Sequence, residues 1–64
     1  MKHKKIKVTL QQTVSGNTFH VVQITNAQQI RPWNAPIIGV GDILDRSVAE
    51  KLASDPIAEV TIKA

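Results

Sequence analysis

The chain has 64 residues, enough for one domain with a small core and too few for two domains or a dinucleotide-binding fold. It contains no cysteine, which excludes disulfides and thiolate metal sites, and its formal net charge of +3 is compatible with an anionic partner. We therefore expect a single domain over residues 1–64, in which residues 1–4 form a flexible basic terminus. Small domains without disulfides or a structural metal often depend on self-association for stability.

The first predicted elements are the two strands of a β-hairpin. Apolar and polar side chains alternate over residues 5–14 and again over residues 18–26, and a Ser-Gly-Asn turn at residues 15–17 separates the two runs. This pattern is typical of a hairpin that buries one face.

A three-residue loop sets the register of this hairpin. It places Leu10 opposite Val22 and Val8 opposite Ile24, and it puts Asn17 in the left-handed conformation that asparagine tolerates. A two-residue turn moves one strand's apolar set to the wrong face, so we prefer the longer loop.

This register leaves Phe19 and Val21 on the face opposite the core. They form either an exposed patch for a partner or, if the hairpin end twists or the following loop covers them, part of the interior. His20 falls on the inward face opposite Gln12, where a hydrogen bond to that amide explains it better than catalysis does.

Residues 27–41 form a long irregular segment. Pro32 and Pro36 disfavour helix, and residues 37–40 can make a short additional strand. A segment of this length in so small a domain usually binds or covers something.

A short helix and a last strand complete the predicted fold. Asp45 is the expected N-cap of a helix over residues 46–53, with Ser47 and Glu50 as a competing capping box. Residues 57–63 alternate again as a strand, which we place beside strand one and antiparallel to it, giving the order 2-1-3.

The fold class is therefore α+β: a β-hairpin, a long loop and one short helix on one face of a three- to four-stranded, mainly antiparallel sheet. The predicted core is Ile6, Val8, Leu10, Val22, Ile24, Val48, Leu52, Val60 and Ile62, with Ile43 or Leu44 closing one end.

The sequence contains no arrangement of residues that indicates catalysis. There is no nucleophile elbow, and no pair of carboxylates has a spacing that suggests an acid and a base. His3 and His20 do not have zinc-site spacing, and Gly39-Val40-Gly41 lacks the rest of a dinucleotide fingerprint. We expect no enzyme activity, no catalytic residue, no metal and no cofactor.

Two kinds of partner remain. For a protein partner or self-association, the candidate contact residues are Phe19, Val21, Trp33 and Arg31, and the last strand can extend a sheet. For a nucleic acid, the candidates are Lys2, Lys4, Lys5, Lys7, Arg31 and Trp33, which combine phosphate contacts with base stacking. For these residues we favour the competing interpretations, which are a solvated basic terminus and a Trp33 that folds back to cap the core.

We rank protein assembly slightly above nucleic-acid binding. Cysteine-free modules of this size recur among phage and plasmid accessory proteins, which is an association only. No apolar run approaches the roughly 20 residues that span a bilayer. The basic start is not followed by the apolar segment of a signal peptide, so we expect a cytoplasmic location.

Overall fold

The computed structural model describes residues 5–63 and has an α+β fold, as predicted. One short helix accompanies strands that form two sheets. In chain order the elements are β1 (Ile6–Gln12), β2 (Thr18–Ile24), β3 (Gln29–Ile30), β4 (Ile38–Gly39), β5 (Ile43–Asp45), α1 (Arg46–Ala53) and β6 (Ala58–Lys63). The hairpin, the helix and the last strand are confirmed, and β4 lies within the segment predicted as an additional strand.

The main sheet has four strands in the order β5-β2-β1-β6. Strand β2 is antiparallel to both of its neighbours, whereas β6 is parallel to β1. Strands β3 and β4 form a separate antiparallel pair. The predicted position of the last strand beside β1 is therefore confirmed.

The predicted antiparallel orientation of the last strand is wrong. Strand β5, which the sequence analysis missed, runs antiparallel to β2 at the far edge of the sheet and so reverses the chain before the helix begins. Helix α1 then returns the chain to β6 in the direction of β1. The segment β5-α1-β6 is thus a crossover between parallel strands, the connection that a helix commonly makes.

A β-bulge in the hairpin decides which residues of β2 reach the core. Val8 pairs with Ile24 as predicted, but Leu10 pairs with Val21 rather than with Val22. Val22 is the extra residue on β2, and a bulge of this kind locally shifts the alternation of the two faces.

The hairpin loop compensates for this shift. Thr13 donates its N–H to the carbonyl oxygen of Thr18 at 3.0 Å, so the loop consists of residues 14–17 instead of the predicted three. Gly16, and not Asn17, adopts the positive φ, at 79°. The extra loop residue and the bulge offset each other, which explains why the Val8–Ile24 pair is nevertheless correct.

The core lies between the main sheet and α1. Phe19 and Val21 are buried, which excludes the exposed patch proposed for them, whereas Val22 and Ile62 of the predicted core are exposed. Of the remaining predicted core residues, Ile6, Val48 and Val60 are only partly buried. The buried hydrophobic residues are Val8, Leu10, Phe19, Val21, Ile24, Ile30, Ile38, Leu44, Ala49, Leu52 and Ala58.

Asp45 is the N-cap of α1, as predicted, but its side chain makes no cap hydrogen bond, and Ser47 lies inside the helix. The predicted capping box is therefore wrong. Ala49 and Leu52 are buried, and packing on the sheet stabilises a helix too short to persist alone. In residues 5–63, no helix has the length and apolar character required to cross a membrane.

The bulge predicts that the same substitution has unequal effects on stability at two adjacent valines. Val21→Thr places a hydroxyl where the side chain is fully buried, and we expect it to lower the free energy of unfolding by about 1–3 kcal/mol. Val22→Thr, on a side chain that is 40% exposed, should change it by less than about 0.5 kcal/mol. Urea unfolding of both variants measures this. If Val22→Thr lowered the free energy of unfolding more than Val21→Thr does, the result would instead support a hairpin without a bulge, in which Leu10 pairs with Val22.

Candidate interaction surface

A buried carboxylate joins the long loop to the start of β6. Asp55 is 2% exposed. Its Oδ2 accepts the backbone N–H of Asn34 at 2.6 Å, and its Oδ1 accepts the backbone N–H of Ile57 at 3.0 Å. These bonds tie the loop at residues 31–36, which we call the Trp33 loop, to the turn between α1 and β6.

The charge state of Asp55 follows from these contacts. Burial alone would raise the pKa of its carboxyl group, because it disfavours the charged form. Hydrogen bonds from the backbone N–H groups of Ile57, Asn34 and Trp33 outweigh this effect and hold the pKa of Asp55 below its ordinary value of 3.8. The tie therefore depends on the ionised carboxylate.

Trp33 projects into solvent from this anchored loop. Its side chain is 75% exposed, so the expectation that it folds back to cap the core is wrong. Ile30 and Ile38, from the β3–β4 pair on either side of the loop, fill that part of the core instead. Arg31 is also exposed.

The basic start of β1 lies at the same end of the molecule as the Trp33 loop. Ile6 donates its N–H to the carbonyl oxygen of Ile57 at 2.8 Å, and the N–H of Ile57 is itself held by Asp55. Lys5 and Lys7 flank Ile6 and are exposed. Of the predicted nucleic-acid contacts, Lys2 and Lys4 lie outside the described residues.

Phe19, one of the predicted partner contacts, instead lines an open groove between α1 and the sheet. The groove has a volume of about 210 Å³ and is lined by Phe19, Arg46, Ala49, Glu50, Ala53 and Ile62. Its lining is mostly apolar, and its two charged side chains, Arg46 and Glu50, form an exposed ion pair at 3.5 Å. The groove therefore lacks the convergent polar groups that position a substrate.

The predicted contact between His20 and Gln12 does not form. The bulge turns Phe19 and Val21 inward, so His20 lies on the outer face of the sheet, where it pairs with Gln11 and Ile43. Gln12 instead donates to the carbonyl oxygen of Gly16 at 3.1 Å. Within residues 5–63, no three acidic or histidine side chains are grouped to hold a metal ion.

Asp55 is the one residue of this site that the sequence did not single out. Its carboxylate accepts the N–H of Ile57, two residues further along the chain, which is a local turn that aspartate commonly forms. The Ser-Asp-Pro-Ile sequence is typical of such a turn. Its bond to Asn34 joins positions 21 residues apart and has no local signal.

Comparison with known proteins does not assign the chain to a family. No family model, no curated protein and no solved structure matches it.

The lowered pKa of Asp55 predicts a pH dependence of stability. A carboxyl group whose pKa is lower in the folded state contributes stability above its unfolded pKa, and this contribution is lost as the pH falls through the folded pKa. Asp55→Asn should therefore be less stable than the parent at pH 7, and the difference should shrink as the pH falls below about 4. Urea unfolding between pH 7 and pH 2.5 measures it.

Asp45→Asn is the matched control, since Asp45 is exposed and asparagine is an equally good N-cap. At pH 7 it should change the free energy of unfolding much less than Asp55→Asn does. A stability difference for Asp55→Asn that does not change with pH would contradict the role given to the carboxylate charge.

Proposed function

We propose that this chain is a non-enzymatic interaction module that binds a protein through the Trp33 loop. The observation that carries the proposal is a large aromatic side chain, 75% exposed, on a backbone held by a buried carboxylate. Tryptophan and arginine are enriched among the residues that dominate binding energy at protein interfaces. Trp33 and Arg31 are thus the proposed contacts, and the buried Phe19 and Val21 are not.

The anchored backbone lowers the cost of binding. Asp55 accepts a hydrogen bond from the N–H of Asn34, and Pro32 and Pro36 restrict the backbone on either side. A loop that is already ordered loses less conformational entropy when a partner binds it. The positive charge of Arg31 favours a partner with an apolar pocket and an acidic rim.

The cellular setting belongs to the same proposal. A cytoplasmic location and a role as a phage- or plasmid-type accessory protein are consistent with a small basic module without cysteine. Both stay predictions.

Truncation of the exposed indole tests the proposal. A partner identified by crosslinking in the source cells is purified, and its affinity for the chain is measured by calorimetry. Trp33→Ala should weaken binding roughly 30-fold, corresponding to about 2 kcal/mol, because a central aromatic contact is lost. The fold should be unaffected, since the side chain is exposed.

Val14→Ala is the control variant. Val14 is a fully exposed apolar residue in the loop that joins β1 and β2, at the other end of β1 from Ile6, and its truncation should leave the affinity unchanged. Equal binding by Trp33→Ala and the parent, or the absence of any crosslinked protein, would contradict the proposal.

The second candidate function is nucleic-acid binding. The observation that favours it is the position of Lys5, Lys7, Arg31 and Trp33 at one end of the molecule, all of them exposed. Lysine and arginine contact phosphates, and an exposed indole stacks on unpaired bases.

A single-stranded oligonucleotide discriminates between the two functions. At about 50 mM salt, where phosphate contacts are strong, nucleic-acid binding predicts quenching of the Trp33 fluorescence and a mobility shift. The Lys5→Ala/Arg31→Ala variant should then bind more weakly than Arg46→Ala/Lys51→Ala, which removes the same charge from the exposed face of α1. No binding at this salt concentration, or equal loss in the two variants, would exclude the second candidate.

A further inference from the structure

Strand β6 is an open edge of the main sheet. It pairs with β1 on one side, and among residues 5–63 no strand pairs with its other side. Natural edge strands are usually protected by short length, proline, a bulge or a cover. The opposite edge strand, β5, has three residues and runs directly into α1. In contrast, β6 has six residues, contains no proline and pairs with β1 without a break.

The direction of the β6 backbone groups follows from its pairing with β1. Ile6 donates its N–H to the carbonyl oxygen of Ile57, and the side chain of Gln11 reaches the carbonyl oxygen of Lys63 at 3.2 Å. Backbone groups alternate in direction along a strand, so the odd-numbered residues of β6 face β1. The N–H and C=O groups of Val60 and Ile62 therefore point to the open edge.

We infer that β6 pairs antiparallel with β6 of a second copy of this chain, about a two-fold axis at Thr61. In this register Val60 lies opposite Ile62 of the second copy. Both residues direct their backbone groups outward, so each such pair exchanges two N–H···O bonds. The same surface serves both copies, as a two-fold interface requires, and the two sheets become one.

Charge complementarity selects this register from those that the backbone allows. With Thr61 on the axis, Glu59 of each copy lies opposite Lys63 of the other. These are non-hydrogen-bonded pairs, in which facing side chains are closest. Glu59 and Lys63 are exposed on the same face of the strand. Glu59 also lies beside Lys7 of β1, but among residues 5–63 neither Glu59 nor Lys63 forms an ion pair, so both can pair across the axis.

The alternative registers lose these pairs. Only even-numbered residues direct their backbone groups outward, so even-numbered residues must face even-numbered residues. From one allowed register to the next, the residue opposite a given position therefore changes by two. One step places Glu59 opposite Thr61 in one direction and Lys63 opposite Thr61 in the other. Two steps place like charges opposite each other, Glu59 against Glu59 in one direction and Lys63 against Lys63 in the other. Moving the axis to Val60 also requires the N–H of Ala58, which already bonds to the carbonyl oxygen of Asp55 at 3.2 Å.

The apolar face of β6 fits the same arrangement. Ile62 lines the groove beside α1 and is 48% exposed, and Val60 packs partly against the core. Pairing sets Ile62 of one copy beside Val60 of the other on the helix side, which covers part of the exposed side chain. So short a strand pair makes a small interface, and we expect a dissociation constant in the micromolar to millimolar range.

Charge reversal in β6 tests the inference by analytical ultracentrifugation between about 10 µM and 1 mM, the range of the expected dissociation constant. Glu59→Lys and Lys63→Glu each place like charges opposite one another and should weaken the dimer about tenfold. An equimolar mixture of the two variants, and the double variant Glu59→Lys/Lys63→Glu, should restore the association because opposite charges face each other again. Both positions are exposed, so each variant should fold.

Hydrogen exchange supplies a second readout. The amides of Val60 and Ile62 should exchange more slowly as the protein concentration rises, whereas the amide of Thr61, which faces β1, should not respond. A chain that is monomeric at about 1 mM with unchanged exchange at Val60 and Ile62 would overturn the inference. A dimer insensitive to charge reversal would also overturn it.

This inference concerns a different surface from the Trp33 loop, and the two proposals fail separately. Trp33→Ala should leave the dimer intact. A monomer that still binds a protein through Trp33 contradicts only the pairing of β6. A dimer sensitive to Glu59→Lys, without a protein that depends on Trp33, contradicts only the proposed function.

Discussion

The β-bulge at Val22 is the constraint on which the rest of this small fold depends. It turns Phe19 and Val21 toward α1 and leaves Val22 in contact with solvent. Phe19 is the largest buried hydrophobic residue among residues 5–63, and it lines the groove between α1 and the sheet. Ile30 and Ile38 close the core beside the Trp33 loop, which leaves the indole of Trp33 exposed.

A second constraint, the carboxylate of Asp55, positions the surface that we propose to be functional. Two backbone N–H groups bond to it, that of Asn34 from the Trp33 loop and that of Ile57 from the turn before β6. Because the N–H of Ile6 bonds to Ile57, the start of β1 is joined to the same cluster. One buried charge thereby brings together segments from both ends and the middle of the chain. It explains why an exposed aromatic side chain can project from a well-defined backbone.

Local periodicity was sufficient to predict the hairpin, the helix and the last strand, because alternation and capping signals lie within each segment. The pairing of Val8 with Ile24 was correct even though the loop length was wrong, because the extra loop residue and the bulge cancel. The bulge has a sequence signal in the spacing of the apolar residues Phe19, Val21 and Ile24, which are separated by two and then by three positions. Strand β5 and the β3–β4 pair are too short for periodicity and form only through pairing with distant residues. The orientation of β6 and the exposure of Trp33 depend on these non-local contacts, which a single sequence does not specify.

Solution NMR tests the bulge most directly, through contacts between Hα protons across the hairpin. Even-numbered residues of β1 are in non-hydrogen-bonded pairs with β2, where facing Cα atoms are only about 4.5 Å apart. The structure predicts strong cross-peaks between the Hα protons of Leu10 and Val21 and between those of Gln12 and Phe19. Cross-peaks from Leu10 to Val22 and from Gln12 to His20 would instead show the regular register. That result would return Phe19 and Val21 to the outer face and contradict the account.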